Sequence, residues 1–173
     1  MDFVKANEIL QTIKKLDSES KESIINALNI AEHVEASAKG FYENEVEKTK
    51  GSELNPFFVF LVKEENMHLE KIVELKKAIE KAEGKKITTE IKFTINKPPA
   101  VHAIPAGQQE MTAVLYALWR EKMAVDFYAE AAEKTKGSVK KFFEELAEFE
   151  RGHVALLERI VEDSQNTDEL IMG

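Results

Sequence analysis

The chain carries two copies of one sequence unit, and this repeat constrains its fold more than any other feature. Residues 35–68 and 121–153 align with an offset of 86 residues that becomes 85 after one gap. The hexapeptide EKTKGS occurs in both copies, with an FY pair before it and an FF pair after it each time. A period of this kind indicates that the chain folds as two copies of one supersecondary unit.

Each copy is predicted to form a hairpin of two helices. A helical pattern runs up to the KTKG sequence, where Gly51 or Gly137 suits the left-handed residue that ends a helix. Hydrophobic periodicity predicts helices at 20–49, 55–83, 109–136 and 139–164. A short amphipathic helix is expected before them, from the spacing of Val4, Ile9, Leu10, Ile13 and Leu16.

The composition favours a single all-α domain. The 173 residues suffice for one core but are few for two domains. Only 7 residues are Gly and 4 are Pro, while good helix formers such as Glu, Lys, Ala and Leu abound. We predict one domain over 1–173, with hairpin 1 at about 20–83, a crossover linker at about 84–108 and hairpin 2 at about 109–164.

The segment between the hairpins is predicted to be extended and not helical. Residues 84–107 contain three of the four prolines and an alternating run at 90–95 that has the period of a strand. A segment of this length reaches about 80 Å when extended, whereas a helix of about 28 residues is about 42 Å long. The linker can therefore recross the bundle, as two hairpins related by a pseudo-two-fold axis require.

The second helix of each hairpin contains the motif Glu-x-x-His. The pairs are Glu65 with His68 and Glu150 with His153. Residues three apart share one face of a helix, so the carboxylate and the imidazole can reach a common ion. In both helices an apolar residue lies four positions before the glutamate and another lies four positions after the histidine, so the four residues are spaced 4, 3 and 4 apart. This spacing follows one face of a helix and predicts that both pairs point into the core.

The first helices each contribute one inward glutamate, Glu35 and Glu121, at the same 4, 3, 4 spacing. Four carboxylates buried close together are costly unless cations neutralise them. Two divalent ions would balance four glutamates, and two neutral histidines complete a ligand set that suits iron or manganese better than magnesium or calcium. The predicted metal ligands are Glu35, Glu65, His68, Glu121, Glu150 and His153.

One glutamate from each of two helices and Glu-x-x-His from the other two is the ligand arrangement of ferritin-like di-metal proteins. The predicted fold class is therefore an all-α, ferritin-like four-helix bundle, made of two duplicated helical hairpins joined by a long crossover. This class places the metal ions in the middle of the bundle.

Other polar residues close to these positions have different expected roles. Tyr42 and Tyr128 lie two turns beyond the inward glutamates and are candidates for hydrogen-bonding a ligand or passing electrons, with plain core tyrosine as the alternative. His33 falls on another face and His102 lies in the linker, so both are expected to be structural or exposed. Glu32 has no glutamate at its repeat position and is left out of the ligand set.

Charge and hydropathy exclude several classes of partner. The net charge of −8 and the pI near 5.2 argue against nucleic-acid binding, which needs a clustered basic face. The absence of Cys excludes disulfides and thiolate-bound metals. The longest apolar run, at 57–62, is too short to span a membrane, and residues 1–10 lack the apolar core of a signal peptide. We therefore expect a cytoplasmic protein without a membrane partner.

The glutamate, the tyrosine seven residues later and the Glu-x-x-His about 30 residues later occur in both halves, and they resemble the rubrerythrin branch of the ferritin-like superfamily. The resemblance covers nearly the whole chain. It implies a site for two iron ions, with manganese or zinc as the other candidate metals, and activity toward hydrogen peroxide or dioxygen. It also implies bridging carboxylates, either Glu65 and Glu150 or Glu35 and Glu121.

Two departures from the rubrerythrin pattern bear on function. Rubrerythrins usually carry a Cys-rich rubredoxin domain that supplies electrons, and this chain has no Cys, so the resemblance implies a separate electron-donor protein. Many rubrerythrins also have an extra glutamate three residues after the third-helix ligand, where this chain has Ala124, with Ala38 at the matching place in the first half. The remaining set of six ligands is similar to that of bacterioferritin.

Three functions follow as hypotheses. The first is a di-iron oxidoreductase that reduces hydrogen peroxide or dioxygen with electrons from an external donor. The second is a ferroxidase or iron-storage protein, which needs a large hollow assembly. The third is a bundle without enzymatic activity, whose metal ions are only structural or which serves as a binding module. A homodimer or higher homo-oligomer is expected.

Overall fold

The computed structural model describes residues 20–82, 92–94, 96–99 and 107–172, the last seven by their backbone only. It confirms the predicted all-α, ferritin-like four-helix bundle. The helix expected within residues 4–16 lies outside the described residues. The four helices are α1 (Lys21–Lys48), α2 (Asn55–Lys81), α3 (Gln108–Lys134) and α4 (Gly137–Met172).

Local sequence signals account for the starts of three helices. The Ser20 hydroxyl accepts a hydrogen bond from the Ser23 amide at 3.4 Å and caps α1. Pro56 lies in the first turn of α2, where a missing amide hydrogen costs nothing. At α3, the Glu110 carboxylate accepts a hydrogen bond from the Gly107 amide at 3.1 Å and brings a negative charge to the helix N-terminus.

The two hairpin turns are built alike, as the repeated KTKGS sequence predicts. Thr49 and Thr135 are both buried, and their hydroxyls donate to the carbonyl oxygens four residues earlier, at 2.7 and 2.8 Å. Gly51 and Gly137 follow with φ angles of 86° and 61°, in the left-handed region that a side chain disfavours. Each turn therefore ends a helix with a hydroxyl cap and a glycine.

Helix α4 extends beyond its predicted end at 164, because the structure continues it to Met172. The polar residues after 163 include poor helix formers. Their propensity cost is only a few tenths of a kcal/mol each, roughly 0.5 kcal/mol, and neither Pro nor Gly interrupts the segment before Gly173. Hairpin 2 is thus longer than hairpin 1.

Contacts across the bundle define its topology. Tyr42 and Tyr128, near the C-terminal ends of α1 and α3, each donate a hydrogen bond to a glutamate nearer the start of the other helix, so α1 and α3 are antiparallel. The extensive contacts lie within each hairpin, between α1 and α2 and between α3 and α4. Helix α3 therefore begins at the end of the bundle opposite to where α2 stops, and this confirms the predicted crossover.

The crossover lies on the bundle as irregular backbone where the structure describes it. Residues 92–94 and 96–99 form no helix or strand, and the remainder of the alternating run at 90–95 lies outside the described residues. The Phe93 ring packs on Phe142 and Phe149 of α4, with centroid distances of 5.4 and 5.1 Å. The assignment of 1–173 to one domain stays a prediction.

Two apolar clusters fill the bundle and leave a polar layer between them. One contains Leu28 and Phe143 and the other contains Leu54 and Phe58, all fully buried. All four helices contribute to both clusters. The inward glutamates and histidines lie between the two clusters, so they are held by packing on either side. None of the four described helices has a segment that is apolar over the length needed to cross a membrane.

Candidate metal centre

The six predicted ligands all lie in the polar layer, and each is almost completely buried. Their exposed fractions run from 0% for His68 to 3% for His153. Charged side chains are seldom buried to this degree without a partner of opposite charge. The structure therefore brings together the whole set that the repeat predicted: Glu35, Glu65, His68, Glu121, Glu150 and His153.

His68 faces carboxylates from three helices through its Nδ1 atom. This atom lies 3.1 Å from Glu150 Oε1, 3.4 Å from Glu35 Oε2 and 3.5 Å from Glu65 Oε2. Ligand atoms of these four residues lie within 4.8 Å of one another, a spacing that fits one ion. We call this group the His68 side of the centre.

His153 has the corresponding surroundings in the second half. Its Nδ1 atom lies 3.1 Å from Glu150 Oε2, 3.4 Å from Glu121 Oε2 and 3.8 Å from Glu65 Oε1. Ligand atoms of these four residues also lie within 4.8 Å of one another. We call this group the His153 side. Glu65 and Glu150 belong to both sides, whereas Glu35 and Glu121 each belong to one.

The two tyrosines tie the halves together. The Tyr42 hydroxyl donates a hydrogen bond to Glu121 Oε1, and the Tyr128 hydroxyl donates one to Glu35 Oε1. Burial and the charge of the accepting glutamate raise the pKa of both hydroxyls well above their ordinary value. Both tyrosines therefore stay protonated and hold the glutamate of the opposite hairpin in place.

The carboxylates shared by both sides resist ionisation. Burial raises the pKa of Glu65 well above its ordinary value, and the charges of Glu35 and Glu150 add to the shift. Burial and the charges of Glu121 and Glu35 raise the pKa of Glu150 to about 7. Without a cation, Glu65 and Glu150 are therefore the carboxylates of the centre that are hardest to ionise.

The remaining four groups are shifted towards their charged forms. Burial alone would raise the pKa of Glu35 and Glu121, but hydrogen bonds within the centre lower both, that of Glu121 to about 2. Burial alone would lower the pKa of His68 and His153. The nearby carboxylates instead raise it well above its ordinary value. The unliganded centre thus offsets its glutamate charges with protons, which metal ions would displace.

Several polar atoms of the centre have no hydrogen-bond partner. They include both carboxylate oxygens of Glu65 and Oε1 of Glu150, each almost inaccessible to solvent. Buried oxygens without partners are costly and rare in folded proteins. Carboxylate and imidazole groups in this arrangement could bind metal ions, and cations would satisfy these oxygens.

The rubrerythrin family model matches residues 113–172, from the first third of α3 to the end of α4. This stretch contains Glu121, Glu150 and His153. Over this stretch the chain is similar to rubrerythrins, and its four-helix bundle is of the ferritin-like class. No curated protein and no solved structure shows a significant match to it.

One buried carboxylate of this rubrerythrin-like chain was missed by the sequence analysis. Glu64 is 2% exposed, and its Oε2 lies 3.9 Å from His153 Nε2. Asn96, in the crossover, donates a hydrogen bond from Nδ2 to Glu64 Oε1. The repeat gave no signal because the counterpart of Glu64 is Phe149. Its spacing from Leu61 and His68 could have indicated an inward position.

A buried arginine was missed for the same reason. Arg120 is 8% exposed, and its guanidinium carbon lies 5.7 Å from the ring centroid of Phe41 and 5.9 Å from that of Tyr116. Its repeat counterpart is Val34. Burial raises the pKa of Tyr42, and the positive charge of Arg120 opposes that rise. The two tyrosines therefore differ in their electrostatic surroundings.

The polar residues that were set aside lie away from the centre. His33 is exposed on α1. Glu32 forms an ion pair with Lys76 at 3.0 Å, on the outside of hairpin 1. His102 lies outside the described residues. Among the described residues, the groups of possible metal ligands therefore contain only the six predicted side chains.

Proposed function

We propose that the chain is a di-iron oxidoreductase that reduces hydrogen peroxide, or dioxygen, with electrons from a separate donor protein. The observation that carries the proposal is the pair of four-ligand groups that share Glu65 and Glu150. The rubrerythrin match over 113–172 supports iron as the metal. The peroxide substrate and the electron donor are part of the proposal.

The residues present fit a pair of divalent ions. Four carboxylates carry a charge that two such ions neutralise, and each side of the centre offers one imidazole nitrogen with three carboxylates. Bound ions would satisfy the unpartnered oxygens of Glu65 and Glu150. Mixed nitrogen and oxygen ligands suit iron, manganese or zinc.

The geometry favours Glu65 and Glu150 as the bridging carboxylates. Each of them has oxygen atoms on both sides of the centre, because Glu150 Oε1 faces His68 and Glu150 Oε2 faces His153. Glu35 and Glu121 each reach one histidine and are held from behind by a tyrosine. They would each bind one ion. Of the two bridging pairs that the family resemblance left open, the structure supports the first.

When bound, a pair of reduced iron ions supplies the two electrons that cleave the O–O bond of hydrogen peroxide, which with two protons gives two molecules of water. The protein residues hold the geometry during this change. Tyr42 and Tyr128 keep Glu121 and Glu35 in place through hydrogen bonds, and their raised pKa keeps those hydrogens available. The apolar clusters on either side exclude bulk water.

Electrons are expected from outside the chain, because it contains no Cys that could hold an iron–sulfur or rubredoxin centre. We expect a small redox protein as donor, and an assembly of two or more copies of this chain in the cytoplasm. Size measurement in solution and reduction assays with candidate donors test these two points separately.

Metal analysis followed by rapid mixing tests the proposal directly. Purified protein is analysed for metals by mass spectrometry, loaded with ferrous iron, reduced without oxygen and mixed with hydrogen peroxide or dioxygen. Two iron ions per chain and faster reoxidation by peroxide than by dioxygen are expected. The Glu150→Ala variant serves as the control without a paired site. A stably bound pair of ions that reacts with neither oxidant would instead support a purely structural role for the metal.

Ferroxidase activity with iron storage is the second candidate. It is favoured by the six-ligand set, since Ala124 and Ala38 leave no seventh carboxylate at the place where many rubrerythrins have one. Storage requires a hollow assembly of many chains. Light scattering that shows a dimer, or ferrous iron that is oxidised only to two ions per chain, would rule this candidate out.

A further inference from the structure

Each of the two histidines directs its Nδ1 atom towards the middle of the centre and its Nε2 atom away from it. The surroundings of the two Nδ1 atoms are alike, whereas those of the two Nε2 atoms differ. On the inner side, both Nδ1 atoms face carboxylates at 3.1–3.8 Å. On the outer side, His153 Nε2 faces a carboxylate oxygen of Glu64 at 3.9 Å. This contact crosses from α4 to α2, and no described residue makes the corresponding contact in the other half.

The outer side of His68 is apolar. Its ring contacts Phe149 and Phe93, with centroid distances of 5.5 and 6.3 Å. Phe149 occupies the repeat position of Glu64, so the carboxylate of one half is replaced by an aromatic ring in the other. Neither His68 Nε2 nor His153 Nε2 has a hydrogen-bond partner among the described residues, but only His153 Nε2 has a carboxylate within 4 Å.

Each oxygen of the Glu64 carboxylate has a polar neighbour. Asn96 donates a hydrogen bond to Oε1, which leaves Oε2 directed towards the His153 ring. Glu64 and His153 also line a cavity of 430 Å³ whose other walls include Phe60 and Leu156. The cavity gives the carboxylate room for the small rotation that would turn 3.9 Å into a hydrogen bond, and it is also wide enough for a bridging water.

We propose that Glu64 is a positioning residue that accepts the Nε2 hydrogen of His153 and makes the His153 side bind divalent metal more tightly than the His68 side. A histidine that binds metal through one ring nitrogen usually donates its other N–H to a carboxylate or carbonyl. That hydrogen bond fixes the tautomer and the ring orientation and increases the basicity of the ligating atom. The inference rests on the proposed metal centre.

Zinc titration of the metal-free protein tests the inference without any redox chemistry. Competition with a chromophoric chelator resolves the two binding steps. The wild-type protein is expected to bind two zinc ions with unequal affinity. The E64Q variant keeps the shape of the side chain, and it should weaken one of the two steps by about 10- to 100-fold and leave the other unchanged.

The matched control is Glu148→Gln. Glu148 lines the same cavity and its substitution removes the same charge, but it is 77% exposed and forms an ion pair with Arg151 at 3.0 Å. It should leave both zinc affinities unchanged. A loss in this variant equal to that of E64Q would overturn the inference, since the effect would then be general electrostatics.

Nitrogen NMR of the zinc-loaded protein with labelled histidine gives a second readout. The Nε2 hydrogen of His153 should exchange slowly with solvent in the wild-type protein and faster in E64Q. An Asn96→Ala variant, which keeps the carboxylate but removes its support, should show the same change to a smaller extent. A role limited to packing would leave this exchange rate unaffected.

Phe149→Glu provides the reciprocal variant. It places a carboxylate at the repeat position that faces His68, so the two zinc affinities should become more alike. Two zinc ions bound equally by wild-type protein and E64Q would overturn the inference and leave the proposed metal centre intact. Failure of the wild-type protein to bind two ions would overturn both.

Discussion

The residues that face the middle of the bundle are alike in the two repeats, which we call their inner faces. The residues behind the histidines, their outer faces, differ. Towards the middle of the bundle, each half supplies a tyrosine, a glutamate and a Glu-x-x-His pair, and the Tyr to Glu hydrogen bonds are reciprocal. Away from it, Glu64 faces one histidine and Phe149 faces the other. The residues that supply or hold ligand atoms of the centre are therefore alike in the two halves, whereas the residues behind the histidines differ.

Loss of a carboxylate that both sides share should have the largest effect on metal binding. Glu65→Ala or Glu150→Ala removes ligand atoms from both sides at once, so each variant should fail to retain two metal ions per chain. Elemental analysis after reconstitution measures this. Glu148→Ala, at an exposed position of the same helix as Glu150, should keep both ions. Full loading of either shared-residue variant would show that the inner faces do not act as one centre.

Metal removal tests whether the stability of the folded protein depends on ions bound between the two inner faces. A ligand that binds only the folded state, at a free concentration of about 100 times its Kd, contributes about 2.7 kcal/mol, or roughly 5–10 °C in Tm for a chain of this size. Chelation should therefore lower the Tm of the wild-type protein by about that amount in calorimetry. The Glu65→Ala variant should respond much less. An unchanged Tm after complete removal would contradict a buried centre.

The two tyrosines test the equivalence of the halves more finely. Tyr42→Phe and Tyr128→Phe each remove a buried hydrogen bond to a carboxylate, worth about 1.5–3 kcal/mol. Urea unfolding of the metal-free variants should show similar losses for both. A clearly smaller loss at Tyr42 would mean that the charge of Arg120, which has no counterpart in hairpin 1, compensates there.

Substitutions of the turn glycines should have the smallest effects, which are on the stability of the fold. Gly51→Ala and Gly137→Ala place a side chain at a positive φ, which costs about 1–2 kcal/mol, although the added carbon would meet no atom within 4 Å. Both variants should lose similar stability in urea unfolding. Gly40→Ala, inside α1 and equally free of contacts, should instead gain about 0.5–1 kcal/mol. A loss at Gly40 would show that the turn effects do not come from backbone strain.

Duplication explains how much of the molecule the sequence could reveal. A repeated Glu-x-x-His is far more informative than a single one, so the six buried side chains and the two hairpins could be predicted together. Glu64 and Arg120 could not be found this way, because their counterparts are Phe149 and Val34. Asn96 lies in the crossover, and its contact with Glu64 depends on how the crossover packs on the bundle.

The crossover has one further consequence, which concerns symmetry. A two-fold operation exchanges the hairpins, but one connecting segment can follow only one path over them and has no image on the other side. Here that segment places Phe93 beside His68 and, through Asn96 and Glu64, a polar contact beside His153. Joining two copies into one chain thus prevents the two halves of the centre from being equivalent, whatever their sequences. A dimer of separate hairpins would be under no such restriction.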